Sequence, residues 1–588
     1  MLFGKHINKY YLKYGIFFLI GLIALIVVDF AQLEIPNIIG SIIDGLELKT
    51  LDQAQVVIFV KDIVIFGLIM VAGRFLWRIF IFGTSWRIDF DLRNKMFRHA
   101  ERLSQTYYSE KKSGGLMALF LNDLNAIRMA FGPGLLMLFD ILILGTLAFY
   151  RMYQLDPTIT LFASIPLVSI AFMATYISKI TGKKFKARQQ SYEDLSDFTQ
   201  ENFYGISVIK AFVNEVREIR AFAKINKLNQ EKNVSYIKAS TFLHVAVEMF
   251  INIIRVIMLG IGAYLVYNTV GTNAVFSVGD LTRYIAYFGT LIWPMMAVGR
   301  LINMRAQAKA SLDRVSAFLD ADVEIHDDRE VVNVEKIEGK ITFNNLTFKY
   351  PKTDKEVLKN INFVIEKGQT VGIIGRTGSG KTTLVDVMLR LYNLKTNELL
   401  IDDYDIMKLP IKTIRDAIGY VPQENFIFSD VIGNNISFSS DNVDQEVIKQ
   451  MAIYSDIHEN IIDFPNQYDT LVGERGVTLS GGQKQRISIA RALLKNPEIL
   501  IMDDSFSAVD TKTEEQVISN LRDLRIGKTT IIIAHRISTI KSADQIIFIE
   551  NGEILAKGTH TELLNTCEMY RQMVIHQRLE AELESEVI

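Results

Sequence analysis

The stretch 375-GRTGSGKTT-383 fits the spacing G-x-x-x-x-G-K-[S/T], with a strand-like run, 370-TVGII-374, before it and a helix-like run, 384-LVDVMLRLY-392, after it. That context makes it a phosphate-binding loop rather than a glycine-rich turn. From Gly375 through Thr377, Gly378, Ser379 and Gly380, backbone N–H groups turn inward on phosphate oxygens, and the helix start at Lys381, Thr382 and Thr383 adds its positive end. Lys381 places a point charge at the β- and γ-phosphates, and the Thr382 hydroxyl reaches Mg²⁺.

Outward from this loop, 340-KITFNNLTFKY-350, 498-EILIMDD-504 and 529-TTIIIAH-535 read as strands separated by helical segments. This is the pattern of an α/β nucleotide-binding domain that begins near Gly339. The run ending at Asp503 is where an acid that holds Mg²⁺ through its water shell is expected. Just upstream, 479-LSGGQKQR-486 offers the Ser480 hydroxyl, the small turns of Gly481 and Gly482, and a helix N-terminus, which together make a second phosphate-binding surface.

The first half of the chain is of another kind. Apolar stretches near 14–43, 56–85, 126–154, 157–182, 240–269 and 281–304 are each long enough for a membrane-spanning helix. Polar, helix-periodic stretches at 86–125 and 183–239 read as stalks that leave the bilayer. Lys179, Lys183, Lys184, Lys186 and Arg188 follow the fourth span, while the connections near 44–55, 151–157 and 269–280 are poor in basic residues. The stalks, both termini and the nucleotide-binding domain are therefore expected in the cytoplasm. Lys5, Lys9 and Lys13 precede the first apolar run with no small-residue cleavage site after it, which reads as an uncleaved span. An acidic linker separates the halves, so the expected order is a transmembrane domain over 1–310, a linker over 311–338, and a nucleotide-binding domain with a C-terminal helix over 339–588.

Composition removes some alternatives. With 64 Lys and Arg against 66 Asp and Glu, the chain has no basic excess and nucleic acid is not an expected partner. A single cysteine, Cys567, excludes an internal disulfide framework and a cysteine-based metal cluster. Asp29, Arg74, Arg78, Asp140, Glu248 and Arg255 lie inside apolar spans, where charges are costly. A cation-binding pocket would favour Asp29, Asp140 or Glu248; structural pairing with the three arginines, or interfacial placement, is the favoured reading.

The order of these motifs resembles that of the ATP-binding cassette family. By that resemblance the nucleotide is ATP, Tyr350 stacks on its adenine, and Gln423 of 420-YVPQENFIFS-429 touches Mg²⁺ and the attacking water. His535 looks like the histidine that switches on the γ-phosphate, and Gln483 belongs with Ser480, Gly481 and Gly482 to the signature sequence. The segment 470-TLVGERG-476 looks like the contact to the membrane domain in exporters, and 507-SAVD-510 like the loop crossing the dimer. In the membrane half, 107-YYSEKKSGGLMALFLND-123 and 201-ENFYGISVIKAFVNE-215 resemble intracellular loops whose short coupling helices press on the ATPase domains. What the resemblance implies is an exporter half-transporter: a six-span α-helical domain in a lipid bilayer followed by an α/β P-loop domain, completed by a second subunit and acting on an amphiphilic small molecule.

One residue departs from the pattern. Where the family has glutamate after the Walker B aspartate, this chain has Asp504, one methylene shorter. If the strand holds the backbone, the carboxylate retreats by about an ångström, a misplacement that costs ~10²-fold in rate. The chain's own site is then slow, and the partner is a different subunit carrying the glutamate, as in the bacterial heterodimeric multidrug exporters that 499-ILIMDDSFSAVD-510 resembles. A homodimer tolerating aspartate, a lipid or peptide transporter, and an ATP-gated regulator remain open at this point.

Overall fold

Residues 4–111, 113–269, 276–328, 330–440, 442–473 and 479–586 are described by the computed structural model, with side chains at 113, 164–175, 177–179, 268–269 and 580–586 left aside. They fall into two units: 1–101 with 113–321, and 102–112 with 322–588.

In the first unit, runs of Leu, Ile, Val and Phe too long and too apolar for water form helices because every backbone polar group is then paired within its own segment. Gly15–Glu47, Gln53–Ala100, Gly114–Leu155, Glu215–Tyr267 and Val278–Leu319 are each long and apolar enough to cross a membrane. The other expected span, 157–182, falls in helix Pro157–Tyr204, with most of its side chains outside the described residues. At 1.5 Å per residue the 55-residue helix Glu215–Thr269 is about 80 Å long, against about 30 Å of hydrocarbon, so its polar end projects as a stalk. Asp52, Asp156 and Ser277 cap helix starts with their side-chain oxygens. Widened π turns interrupt the helices at Arg78–Phe82, Leu119–Asp123 and Asp140–Leu144. Tyr284, Tyr287, Phe288 and Leu291 pack with Leu33, Ala148 and Met152 in the helical core, whereas Leu68, Val71 and Val256 remain exposed, as a lipid-facing surface requires.

Among the described residues no ion pair joins Arg74, Arg78 or Arg255 to Asp29, Asp140 or Glu248, so the pairing half of the expectation is not seen. Asp140 accepts the Trp293 indole N–H at 2.8 Å, Arg255 donates to Asn252, and Glu248 faces His244 at 3.7 Å. Among the described residues Asp29 has no partner for Oδ2.

The second unit contains two sheets. Strands β1 (Ile341–Phe348), β2 (Leu358–Ile365), β4 (Leu399–Ile401) and β5 (Tyr404–Asp405) form an antiparallel sheet in the order β2-β1-β4-β5. The larger sheet runs β10-β9-β3-β8-β7-β6, with β3 (Thr370–Gly375), β6 (Ile418–Val421), β7 (Ile499–Asp503), β8 (Thr529–Ile533) and β9 (Gln545–Glu550) parallel and β10 (Glu553–Gly558) antiparallel at its edge. Strands β7 and β8 are buried along their whole length because both faces are covered, which is why they read as unbroken apolar runs. Ile373, Ile501 and Ile531 point into one core and Ile374, Leu500, Met502 and Ile532 into the other. The carboxyl ends of β3, β7, β8 and β6 lie side by side, the edge where open parallel sheets place their ligands. Helix Gln105–Glu110 belongs to this unit, where Glu110 pairs with Lys352 at 2.5 Å and Ser104 donates to Glu324 at 2.8 Å.

Candidate functional site

The loop leaving β3 is shaped by its glycines. Gly378 and Gly380 have φ of +81° and +101°, a left-handed geometry that other residues adopt at a cost, and Gly380 begins the helix Lys381–Met388. At Gly375 a Cβ would sit 2.0 Å from the Ile549 carbonyl oxygen, so the loop lies directly against β9. The result is a concave backbone surface with two unusual polar groups inside it. The Ser379 hydroxyl is buried without a hydrogen-bond partner among the described residues. Lys381, 6% exposed, donates to the carbonyls of Gly375 and Arg376 at 2.9 Å each. Burial lowers the lysine pKa, against the pull of Asp503, Asp504 and Glu550. A buried ammonium whose hydrogen bonds among the described residues go to two carbonyls, beside an orphaned hydroxyl, is a place for an anion.

Asp503 ends β7, 2% exposed, and its Oδ2 has no hydrogen-bond partner among the described residues. Its pKa is raised, first by burial and further by the Asp504 charge; a hydrogen bond with the Thr382 side chain, Lys381 and His535 oppose the shift. An orphaned carboxylate oxygen next to a threonine hydroxyl is the hard-oxygen donor set that suits Mg²⁺, which takes few protein ligands and completes its shell with water and phosphate. Among the described residues there is no cluster of three or more His, Cys, Asp and Glu for a softer or more fully caged metal.

Asp504 is half-buried and its backbone is held from both sides. Its N–H donates to the Ile533 carbonyl at 2.9 Å, and its own carbonyl accepts from Ser507 Oγ at 3.2 Å and Gln485 Nε2 at 3.4 Å. Its φ of +48° turns the chain sharply after the strand, a conformation aspartate tolerates better than most residues. The pairing Val421↔Met502 between β6 and β7 carries Gln423, two residues on and exposed, toward Asp504. His535 follows β8 beside Asp503. The structure therefore gathers Lys381, Thr382, Asp503, Asp504, Gln423 and His535 at one sheet edge.

Tyr350 stands on the antiparallel sheet side. Its hydroxyl bonds with Thr383 Oγ1 at 2.9 Å and donates to Asp386 at 3.1 Å, while its ring meets Phe348 and Tyr392 edge-on. Burial pushes the Tyr350 hydroxyl up to about 12 and the Asp386 carboxyl up to about 6.

The signature helix, Gly481–Leu494, starts with a capping box: Ser480 Oγ accepts the Gln483 N–H at 3.2 Å and Gln483 Oε1 accepts the Ser480 N–H at 2.9 Å. Its packing partners include helices Ile432–Ile436 and Gln445–Tyr454 and strand β6, and none of the hydrogen bonds of Ser480 or Gln483 among the described residues reaches the phosphate loop. Gly482 is required because a Cβ there would come 2.8 Å from the Ala508 carbonyl. Sequence reasoning missed Gln485, whose amide joins Ser507 Oγ, the Ala508 N–H and the Asp504 carbonyl. It also missed Gln577 on the C-terminal helix Glu568–Glu586, which holds the His535 loop. Of the segment 470–476, residues 474–476 lie outside the described residues.

Comparison with known proteins agrees with this arrangement. Residues 18–295 match the ABC transporter transmembrane region and residues 358–507 the ABC transporter family. The chain is 35% identical to the multidrug resistance-like ATP-binding protein MdlA of Escherichia coli, over 96% of this chain and 95% of that one. It is 34% identical to the "Probable multidrug resistance ABC transporter ATP-binding/permease protein YheI" of Bacillus subtilis, over 98% and 97%. The solved structure of a bacterial Atm1-family ABC exporter with ATP bound superposes with a TM-score of 0.75 over 97% of this chain and 98% of that one; at 24% identity it supports the fold. The chain belongs to the ABC transporters, as a multi-pass exporter-type protein whose ATPase domain, coupled to transport, shares one polypeptide with its membrane domain.

Proposed function

We propose that this chain is one subunit of a two-chain exporter that moves amphiphilic, drug-like compounds across the cytoplasmic membrane, and that its own phosphate loop binds ATP with Mg²⁺ but hydrolyses it slowly. The observation that carries this reading is the anchored backbone of Asp504, which cannot advance to make good its missing methylene.

Lys381, Ser379 and the loop N–H groups bind the phosphates; Thr382, Asp503 and Gln423 hold the metal; Tyr350 takes the adenine. Mg²⁺ bound there neutralises charge on the phosphate oxygens. Asp504 orients the attacking water from too far back, and His535 faces the γ-phosphate. Ser480, Gly481, Gly482 and Gln483 serve the nucleotide of the second subunit, a role in keeping with a signature helix whose capping bonds stay within its own first turn. Phe203, Tyr204, Val208, Phe212 and Val213, close in sequence and all exposed, with Tyr204 at 81%, are in keeping with a second chain that covers them. The membrane domain spans 1–310 and the ATPase domain 339–588 with a linker between, both termini lying in the cytoplasm. The multidrug names of MdlA and YheI support drug-like substrates.

The experiment is ATP turnover by the purified chain alone and with a candidate glutamate-bearing partner. Slow turnover alone and fast turnover together is the expected result; equal activity without any partner overturns the two-chain reading.

A further inference from the structure

Within the first unit, Asp29 of helix Gly15–Glu47 and Asp140, at the head of the π turn Asp140–Leu144, line a single cavity of about 360 Å³. Both are buried, at 2% and 6% exposure. Asp140 has the Trp293 indole N–H as its partner, but Asp29 Oδ2 has none among the described residues and is part of the cavity wall. Ionising a lone carboxyl buried in a membrane domain costs several kcal/mol, a cost that a cation bound beside it offsets. Arg74 also lines the cavity, yet it is exposed and makes no ion pair with either aspartate among the described residues.

From this we infer that Asp29, assisted by Asp140, is a binding site for the charged centre of a lipophilic organic cation. The rest of the wall fits such a guest. Trp77 and Trp293 contribute indole rings, surfaces that attract cations, and each has an arginine, Arg78 or Arg300, near the outer limit of that interaction at 5.6 and 5.7 Å. Leu25, Val28, Leu136 and Leu144 supply apolar contact around the two carboxylates. A bare metal ion is the poorer guest, because it needs a tight cage of several oxygens and this cavity is roomy and mostly apolar. Its volume falls in the range of small-molecule sites, roughly 300–1,000 Å³. The inference rests on the export reading and names the chemical class of compound the membrane domain takes up.

Two of the three tryptophans in the chain line the cavity, so their fluorescence reports on it directly. The test titrates the full-length chain in lipid nanodiscs, without nucleotide and with Trp86→Phe as background, using methyltriphenylphosphonium and the neutral, similarly sized triphenylphosphine oxide. The cation is expected to quench saturably, and to bind at least about tenfold more tightly than the oxide. Asp29→Asn should weaken the cation by about tenfold while leaving the oxide unchanged, and Asp29→Glu should restore most of the loss. Equal midpoints for cation and oxide in the native chain, or a cation midpoint unmoved by Asp29→Asn, overturn the site. Because no hydrolysis or partner is needed, the two readings separate: charge preference without ATP-driven efflux supports the site and counts against export, whereas efflux without charge preference overturns the site and leaves export standing.

Discussion

Gln577 clasps the loop that carries His535, donating from Nε2 to the His535 carbonyl at 2.6 Å and accepting the Ile537 N–H on Oε1 at 2.8 Å. Two hydrogen bonds from the C-terminal helix thus set the backbone on both sides of Arg536, and the imidazole of His535 inherits that position. Gln577 is a positioning residue, since it touches neither phosphate nor metal. Each such bond contributes about 1 kcal/mol net. Gln577→Ala is therefore expected to lower kcat at this chain's own site, read with a partner whose phosphate loop has been disabled, by about 5- to 30-fold and leave the affinity for ATP unchanged. A change in ATP affinity with kcat preserved would show that the clasp has only a structural role.

Lys381 gives a second prediction, in which stability and binding move in opposite directions. Its ammonium is buried against two carbonyls and its pKa is depressed by that burial, so without nucleotide it strains the fold. Lys381→Met should hold or raise the melting temperature of the nucleotide-free protein and reduce ATP affinity by about 10²-fold or more. Thermal shift with and without ATP reads both effects. Loss of stability without nucleotide would contradict the account.

The third prediction concerns pH. Burial raises the Asp386 carboxyl to about 6 from an unfolded value near 3.8, so the folded state holds its proton more tightly than the unfolded chain does. The penalty for ionising it is absent below about pH 4, grows as pH rises, and is complete above about pH 6. Asp386→Asn keeps an acceptor for the Tyr350 hydroxyl and removes the charge. Its melting temperature relative to the native protein should climb between pH 4 and pH 7, by an amount corresponding to about 1–2 kcal/mol. A difference that stays flat across that window would show Asp386 to be unstrained.

Gln485 gives a fourth. Its side chain is the bridge between the signature helix and the loop 507–510, reaching the Asp504 carbonyl as well. Gln485→Ala frees one side of Asp504 and should reduce turnover at both sites of the assembled transporter by about tenfold, with a melting temperature lowered by no more than a core hydrogen bond or two would account for. Turnover lost at one site only, read by disabling each subunit's phosphate loop in turn, would contradict the coupling.

The history of these residues in the sequence is uneven, for physical reasons. The phosphate loop was legible because Gly378 and Gly380 need left-handed backbone and few other residues serve there. Strands β7 and β8 were legible because burial on both faces leaves only apolar side chains. Asp504 stood out as a single departure from an otherwise complete set of motifs. Gln485 and Gln577 were not legible, since each acts on backbone atoms of a distant segment and any glutamine on a helix looks alike in one dimension. The intramembrane charges were legible only in part: their cost was evident, but a partner is chosen in three dimensions, and Asp140 found an indole instead of an arginine.

Everything in the proposed division of labour rests on the reach of one side chain from a fixed backbone. The most direct measurement is ATP turnover of Asp504→Glu beside the native chain, each assembled with a partner whose own phosphate loop has been disabled. Restoring the methylene should raise turnover by roughly 10- to 100-fold, the inverse of the loss expected from an ångström of misplacement. Turnover that stays level or falls would contradict the claim that a short carboxylate is what slows this site.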